Sequence, residues 1–384
     1  MILTLRFIVL FASCWLCFFA VPRRWRPLTL AFWGAVFYAM FAGAFIAIVL
    51  LLTVLAYGAG RRTVAWTAGA LVVALLYYFK VRAAVSDVGA GAPASATMLI
   101  PLGFSYLSFE LLHVVIDRRR GRIPELSFPD LLAFVFFAPA RVAGPIKRYP
   151  DFTAAVRAAT LSMANVYAGA LRVLTGLAKK LFIADVLALT VAERPDVRSV
   201  GHAWVVLFAF TFQIYFDFSA YTDVALGFSR MLGISLPENF RRPYLAPNIR
   251  EFWNRWHITL STWVRDYIFL PAGRELFQTR LRAKPTVIAA ISYLLTFLAV
   301  GAWHGVTAAF LLWGLYHGLL LAAYHAIRVK TPVRIAAHPL YRSPIVTACG
   351  VVVTFLLVAI GWVPFMTSWE DASRLLAALF GVAR

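Results

Sequence analysis

Apolar runs separated by short polar bursts follow one another along almost the whole chain. About 20 apolar residues suffice for a helix to cross the hydrocarbon core of a bilayer. The pattern predicts a series of spans at Ile2–Val21, Leu28–Met40, Phe41–Tyr57, Val64–Val81, Val166–Leu189, Ala203–Phe218, Val287–Trp303, Ala308–His325 and Ile345–Trp362. Met98–Val115 is apolar but interrupted, and Leu131–Ala140 is too short to span and is interpreted as re-entrant. We therefore expect an all-α, polytopic membrane protein with about nine to eleven crossings.

Basic residues are concentrated in the polar bursts. Arg23–Arg26 and Arg61–Arg62 are separated by two predicted spans, which places both on the same side, as expected of cytoplasmic loops. In a cleaved signal peptide the positive charge precedes the apolar run, whereas here it follows Met1–Val21. We interpret that segment as a retained first span.

Composition supports the same class. Hydrophobic residues make up 62% of the 384 residues, and charged residues only 14%. A soluble domain averages roughly 45–50% apolar residues. The larger apolar fraction of this chain is therefore best accommodated in the hydrocarbon core of a bilayer. The net charge of +20 comes from Lys and Arg in the short polar segments between predicted spans. This placement is typical of membrane-protein loops and does not indicate nucleic-acid binding. We expect one membrane domain over residues 1–384.

One segment, Asn248–Pro271, is strongly amphipathic. At about 100° per residue its aromatic side chains share one face, and these are Phe252, Trp253, Trp256, Trp263 and Tyr267. The opposite face is polar and includes Asn254 and Arg265. Such a helix lies along the membrane interface. We predict a single interfacial helix ending at Pro271, with His257 at the edge between its two faces.

A second candidate is His304, which lies in an otherwise apolar sequence and is followed by Gly305. An ionisable group at that depth usually faces the protein interior or a water-filled cavity, and it can act as a general base. A histidine that is hydrogen-bonded between helices is the alternative. His317 follows thirteen residues later, nearly opposite on a continuous helix, and we interpret it as structural.

Acidic residues follow the span at Ala203–Phe218. Asp217 and Tyr221 are four residues apart and share a helix face, and Asp223 follows. These groups could orient a histidine, line a substrate path or pair with arginines.

Cys14 and Cys17 form a C-x-x-C, normally a metal or redox signal, but they lie in an apolar run with no second cysteine pair or histidine cluster nearby. The histidines show no clear metal spacing, and we predict no metal site.

Several of these stretches closely resemble the membrane-bound O-acyltransferase family, in particular its bacterial alginate O-acetylation and teichoic-acid D-alanylation branch. The matching segments are Pro101–Ser105, Ala143–Tyr149, Asp217–Gly227, Leu236–Tyr244, Glu251–Tyr267, Trp303–Gly305 and Trp313–Gly318. The chain departs from the branch at Phe109-Glu110 with His113, and at Ala220, where the branch usually has glycine.

The resemblance implies an O-acyltransferase in the bacterial inner membrane. Its expected catalytic residue maps onto His304, and the second site histidine maps onto His257. We expect Asp217, Tyr221, Asp223, Asn254, Arg265 and Trp303 to contact substrate. The family fold is a ring of tilted helices around a thinned centre.

The expected reaction moves an acyl group, first of all acetyl, from a cytoplasmic donor to a hydroxyl of an extracytoplasmic polysaccharide or envelope polymer. The donor would be a co-substrate such as acetyl-CoA or an acylated carrier protein, with no bound cofactor. The acceptor would be reached directly or through a partner acyltransferase protein. The alternatives are D-alanyl transfer to teichoic acid and, in another class, a transporter without acyl chemistry.

Overall fold

The computed structural model describes residues 5–89, 101–123, 125–193, 197, 199–332, 343–366 and 369–382. Within these ranges every regular element is helical, which confirms the all-α class. The helices are α1 Leu5–Ala20, α2 Arg26–Ala42, α3 Phe45–Tyr57, α4 Arg62–Gly89, α5 Phe104–Arg119, α6 Phe128–Val135, α7 Tyr149–Ala158, α8 Met163–Ala178, α9 Asp185–Ala192, α10 Val200–Met231, α11 Ile249–Arg255, α12 Ile258–Val264, α13 Leu270–Phe277, α14 Pro285–His304, α15 Ala308–Lys330, α16 Pro344–Gly361, α17 Val363–Met366 and α18 Trp369–Leu379. Two π-helical segments, Lys179–Ala184 and Arg265–Phe269, join α8 to α9 and α12 to α13.

The chain divides into two compact units. The first unit comprises Met1–Leu177 and Ala220–Pro237, and the second comprises Ala178–Ser219 and Glu238–Arg384. The interpretation of residues 1–384 as one membrane domain stays a prediction.

Five described helices are long and apolar enough to cross a membrane, and they include α4, α10, α14, α15 and α16. Two shorter apolar helices, α1 and α3, accompany them. Large apolar side chains on these helices are exposed, among them Trp66 and Ile345, as expected of a lipid-facing surface. The count of nine to eleven crossings stays a prediction.

The apolar stretch from Leu28 to Gly58 divides as expected. α2 ends at Ala42, and Gly43 has a φ of 56°, a conformation that glycine adopts at low cost. α3 then begins at Phe45.

The span predicted to end at Phe218 is longer than expected. α10 continues for 32 residues to Met231, so Asp217, Tyr221 and Asp223 all belong to one helix. The prediction that this helix ends at Phe218 is wrong. Asp217 and Asp223 each form an ion pair with a basic side chain, so neither carboxylate has to lie beyond the end of the helix to be stabilised.

The prediction of one interfacial helix over Asn248–Pro271 is also wrong. The segment breaks at Trp256 and His257, between α11 and α12, and His257 has a left-handed φ of 41°. Pro271 does not end it, because the π-helical turn Arg265–Phe269 runs directly into α13, which contains this proline. The division into faces survives the break, since Phe252, Trp253, Trp256 and Trp263 are buried whereas Asn254 and Arg265 are exposed.

In the first unit, α5 holds a buried ionic cluster. Glu110 accepts hydrogen bonds from Arg141 Nη2 at 2.6 Å and from Lys147 Nζ at 2.5 Å. One turn further, His113 Nε2 accepts the backbone N–H of Tyr149 at 2.9 Å. α5 therefore fixes the loop Arg141–Tyr149 through side chains on one of its faces.

In the second unit, α14 and α15 approach closely through glycines. A Cβ on Gly314 would lie against the carbonyl oxygen of Phe297, and a Cβ on Gly301 would lie against that of Phe310. This close crossing holds the end of α14, and with it His304, against α15.

Candidate functional site

An aromatic cluster surrounds His304 in the second unit. His304 is the last residue of α14, and the helix ends where Gly305 donates its N–H to the Gly301 carbonyl at 3.1 Å. The imidazole centroid lies 4.5 Å from Trp303, 4.8 Å from Phe365 and 5.3 Å from Trp313. His304 is half-buried, so a substrate can reach an imidazole that rigid rings hold in place.

His317 belongs to the same cluster. The helix breaks after His304 and resumes at Ala308, so the two histidines do not lie on one continuous helix and the opposite-face argument fails. The Trp313 ring lies 5.0 Å from His317 and 5.3 Å from His304, so it contacts both imidazoles. His317 is fully buried. The glycine after His304 was the signal for this break.

His257 is buried, not at a water-facing edge, and the prediction from the helical wheel is wrong because α11 and α12 are separate helices. Its ring lies edge-on against Phe218, with the centroids 4.7 Å apart. Burial lowers the pKa of His257 to about 3, so the imidazole is neutral at physiological pH. A left-handed backbone on a residue other than glycine is costly and occurs preferentially at functional sites.

The backbone beside His257 is fixed by Asn239, a residue that sequence reasoning did not single out. The Asn239 carbonyl accepts the N–H of Ile258 at 2.9 Å, and its side-chain Oδ1 accepts the Thr259 hydroxyl at 2.6 Å. Asn239 is fully buried. Its position within Leu236–Tyr244, one of the matching segments, was the available signal.

A cavity of about 380 Å³ lies in the second unit. Two predicted substrate-contacting residues, Asn254 and Arg265, line it together with Arg250. Its apolar wall includes residues of α14 at helical spacing, and these are Tyr293, Thr296, Phe297 and Val300. The cavity therefore combines a polar rim with an apolar wall, as small-molecule sites do.

The predicted acidic residues of α10 are engaged in ion pairs. Asp217 binds Lys180 Nζ at 2.7 Å, and the same ammonium binds Asp185 at 2.8 Å. Asp223, in the first unit, binds Arg172 at 2.9 Å. Structural pairing was one of the roles left open for these acids, and the two basic partners lie far away in sequence.

The other four residues predicted to contact substrate lie in different environments. Arg265 donates to Asp266 at 2.9 Å, and Asn254 donates to Glu251 at 3.1 Å. The Tyr221 hydroxyl is buried and has no hydrogen-bond partner within the described residues. Trp303 is buried beside His304. The described ranges contain no group of three metal-ligating side chains, and the absence of a metal stays a prediction.

Comparison with known proteins identifies the family. The model of MBOAT, the membrane-bound O-acyltransferase family, matches residues 63–360. The chain belongs to this family. The acyltransferase is similar to the probable alginate O-acetylase of Pseudomonas syringae pv. tomato, with 34% identity over 93% of the chain and 70% of that protein.

Other relatives differ in the polymer that their names specify. The teichoic acid D-alanyltransferase of Bacillus subtilis is 31% identical over 58% of the chain and 58% of that protein. The peptidoglycan O-acetyltransferase of Helicobacter pylori is 33% identical over 74% of the chain and 58% of that protein. Family membership makes the chain an enzyme of O-acyl transfer and removes the transporter alternative.

We expect replacement of His257 by glutamine to slow the acyltransferase without changing its pH dependence. The imidazole is already neutral, so a neutral amide changes no charge, but it loses the edge-on ring contact with Phe218. An aromatic pair contributes about 0.5–1.5 kcal/mol, so we expect a rate that is slower by up to roughly tenfold. The measurement is the pH–rate profile of acyl transfer, with His202→Gln on α10 as the control, since the His202 ring pairs with Glu193 and lines no part of the cavity. A shifted acid limb in His257→Gln alone would contradict a buried neutral imidazole.

Proposed function

We propose that this acyltransferase carries an acetyl group from a cytoplasmic thioester donor to a hydroxyl of an exported polysaccharide or envelope polymer, in the bacterial inner membrane. The donor would be acetyl-CoA or an acylated carrier protein. The acceptor would be reached directly or through a partner acyltransferase protein. The course of the cavity along α14 is the observation that carries the proposal.

The cavity follows one face of α14 towards His304. It runs from Tyr293 through Phe297 to Val300, and His304 lies one further turn along the same face. With a rise of about 1.5 Å per residue, α14 is roughly 30 Å long, which matches a hydrocarbon core. A donor entering near Tyr293 therefore extends its acyl end towards His304.

Charge supports a cytoplasmic entrance. The 3-10 turn Arg280–Ala283 precedes α14, and α15 ends with Arg328 and Lys330. Because α14 and α15 form a hairpin, both basic ends lie together, and the positive-inside rule assigns them to the cytoplasm. His304 is the last residue of α14, at the end opposite to these basic residues, and this supports an acceptor site on the exported side.

The proposed chemistry requires one general base. His304 takes the proton of the acceptor hydroxyl as that oxygen attacks the thioester carbonyl. A carbon–oxygen bond forms, the carbon–sulfur bond breaks, and the imidazolium returns its proton to the leaving thiolate. The rings at 4.5–5.3 Å from the imidazole hold it in place and keep bulk water away.

The arginines Arg250 and Arg265 at the rim of the cavity would attract a phosphorylated donor. Replacing both by glutamine is expected to raise the KM for the donor by roughly fivefold per charge and to leave kcat largely unchanged. Kinetics in inside-out membrane vesicles with labelled acetyl-CoA measure both constants. Arg274→Gln on α13 is the control, since Arg274 is exposed but does not belong to the described lining.

The same vesicles test the whole proposal. Inside-out vesicles should use external acetyl donor, whereas sealed right-side-out vesicles should not, and mass spectrometry should find acetyl esters on the envelope polymer only when the chain is present. Equal use of donor by both orientations would exclude a cytoplasmic entrance. If mass spectrometry finds D-alanyl esters in place of acetyl esters, the proposal of an acyl-transfer site stands, but the proposed acetyl donor is wrong.

A further inference from the structure

An open groove of about 1040 Å³ lies between α4 and α5 in the first unit. Its floor is formed by small residues of α4, namely Gly69, Ala70 and Ala74. Leu112 and Ile116 of α5 form its other wall. Gly69 faces open space, because a Cβ added there would meet no atom within 4 Å. The floor therefore leaves room for an extended apolar chain.

One end of the groove is strongly basic. Arg62 begins α4 and Arg119 ends α5, and Arg120 follows, so one end of the helix pair carries three arginines. All three are exposed, and the described lining includes no carboxylate. Arg61–Arg62 and Arg118–Arg122 are basic clusters at helix ends, of the kind that favours the cytoplasmic side of a membrane. An exposed Trp66 lies about one turn inside Arg62, at the depth that amphipathic rings prefer.

We propose that this groove binds one anionic glycerophospholipid of the cytoplasmic leaflet. Its phosphate would bind the arginines, and an acyl chain would lie along the floor at Gly69. The charge complementarity determines the choice, because a zwitterionic lipid offers no net charge to the exposed guanidinium groups of Arg62 and Arg119. The groove shares no lining residue with the cavity at α14, and the proposal does not depend on the acyl-transfer proposal.

The preference of the groove arginines for an anionic headgroup is tested with the delipidated full chain in detergent. Native mass spectrometry measures binding of phosphatidylglycerol and of phosphatidylcholine with identical acyl chains. Phosphatidylglycerol should bind more tightly, and the double variant Arg62→Gln with Arg119→Gln should lose that preference by roughly fivefold per arginine. The control, Arg280→Gln with Arg282→Gln, removes two arginines in the other unit and should keep the preference.

The chain-binding part of the groove is tested at the glycine. Gly69→Leu places a side chain into open space, so the helix is not disturbed while the groove is filled. Occupancy by both lipids should fall roughly tenfold, the equivalent of two methylene groups leaving the groove. The control is Gly201→Leu on α10, where a Cβ also meets no atom within 4 Å. Each variant is first shown to be monodisperse with the wild-type unfolding temperature.

Three outcomes would overturn the proposal. Equal affinity for the two lipids would remove the anionic preference. A loss of preference in the Arg280/Arg282 control as large as in the groove variant would show only general electrostatic attraction. Binding of glycerol phosphate as tight as that of the lipid, unaffected by Gly69→Leu, would show an anion site without a chain groove.

Discussion

Replacement of His304 by alanine should reduce acyl transfer by about a thousandfold while leaving the fold intact. General-base catalysis contributes roughly 10²–10⁴-fold, and His304 is the half-buried imidazole towards which the cavity runs. Alanine is tolerated at the last residue of a helix, and the surrounding rings remain packed against one another through Trp313 and Phe365. The measurement is transfer of labelled acetyl groups in membrane vesicles, normalised to folded protein.

The control for His304→Ala is His202→Gln on α10, which removes an imidazole that is paired with Glu193 outside this cluster and outside the cavity lining. Its rate should match the wild type. Unfolding temperatures of both variants separate chemistry from stability. A well-folded His304→Ala enzyme with more than a tenth of the wild-type rate would rule out His304 as the base.

The spans could be predicted because hydrophobic burial in lipid depends on composition and length alone. α14 and α15 begin and end within a few residues of the predicted positions. α10 was predicted too short, since the carboxylates of Asp217 and Asp223 resemble the end of a span. Their partners Lys180 and Arg172 lie on other helices, and local sequence does not show such pairing.

The break at His257 could not be predicted for a related reason. Glycine or proline usually marks such a break, and neither occurs between Ile249 and Phe269. The left-handed conformation is held instead by Asn239, through hydrogen bonds to Ile258 and Thr259. A contact between residues nearly twenty positions apart therefore overrides the local helical pattern.

The site was predictable only in part. A histidine between glycines in an otherwise apolar sequence carries its own chemical signal, so His304 and Trp303 could be named from the chain alone. The cavity combines side chains of α11, α12, α14 and α15, and its existence depends on how these helices pack. The place of His317 in the same cluster depends on the helix break after His304.

Replacement of Glu110 by glutamine should destabilise the first unit by about 3–5 kcal/mol, the cost of removing one partner from a buried ion pair. Glu110, Arg141 and Lys147 are all almost fully buried, so water cannot replace the missing carboxylate. The folded yield in detergent and the thermal unfolding temperature measure the loss. Glu125→Gln, which changes an exposed carboxylate in the same unit, should leave both unchanged.

A second substitution separates uncompensated charge from lost packing. Lys147 lies against the rings of Phe134, Phe137 and Phe152, with Nζ 4.9 Å from the nearest centroid, so methionine fits that apolar environment. Lys147→Met should therefore recover part of the stability that Glu110→Gln loses. A double variant less stable than Glu110→Gln would show that packing, and not charge, is responsible.

The same cluster predicts a pH dependence with a definite sign. Burial lowers the pKa of Lys147 from 10.5 to about 8, even though Glu110 acts in the opposite direction. Between those pH values the unfolded chain binds a proton that the folded chain does not, so stability rises with pH. Without the Glu110 carboxylate the pKa of Lys147 falls further, and the rise should begin at lower pH. Unfolding temperatures from pH 7 to 9 should therefore increase more steeply in Glu110→Gln than in the wild type, and this difference should vanish when Lys147 is also methionine.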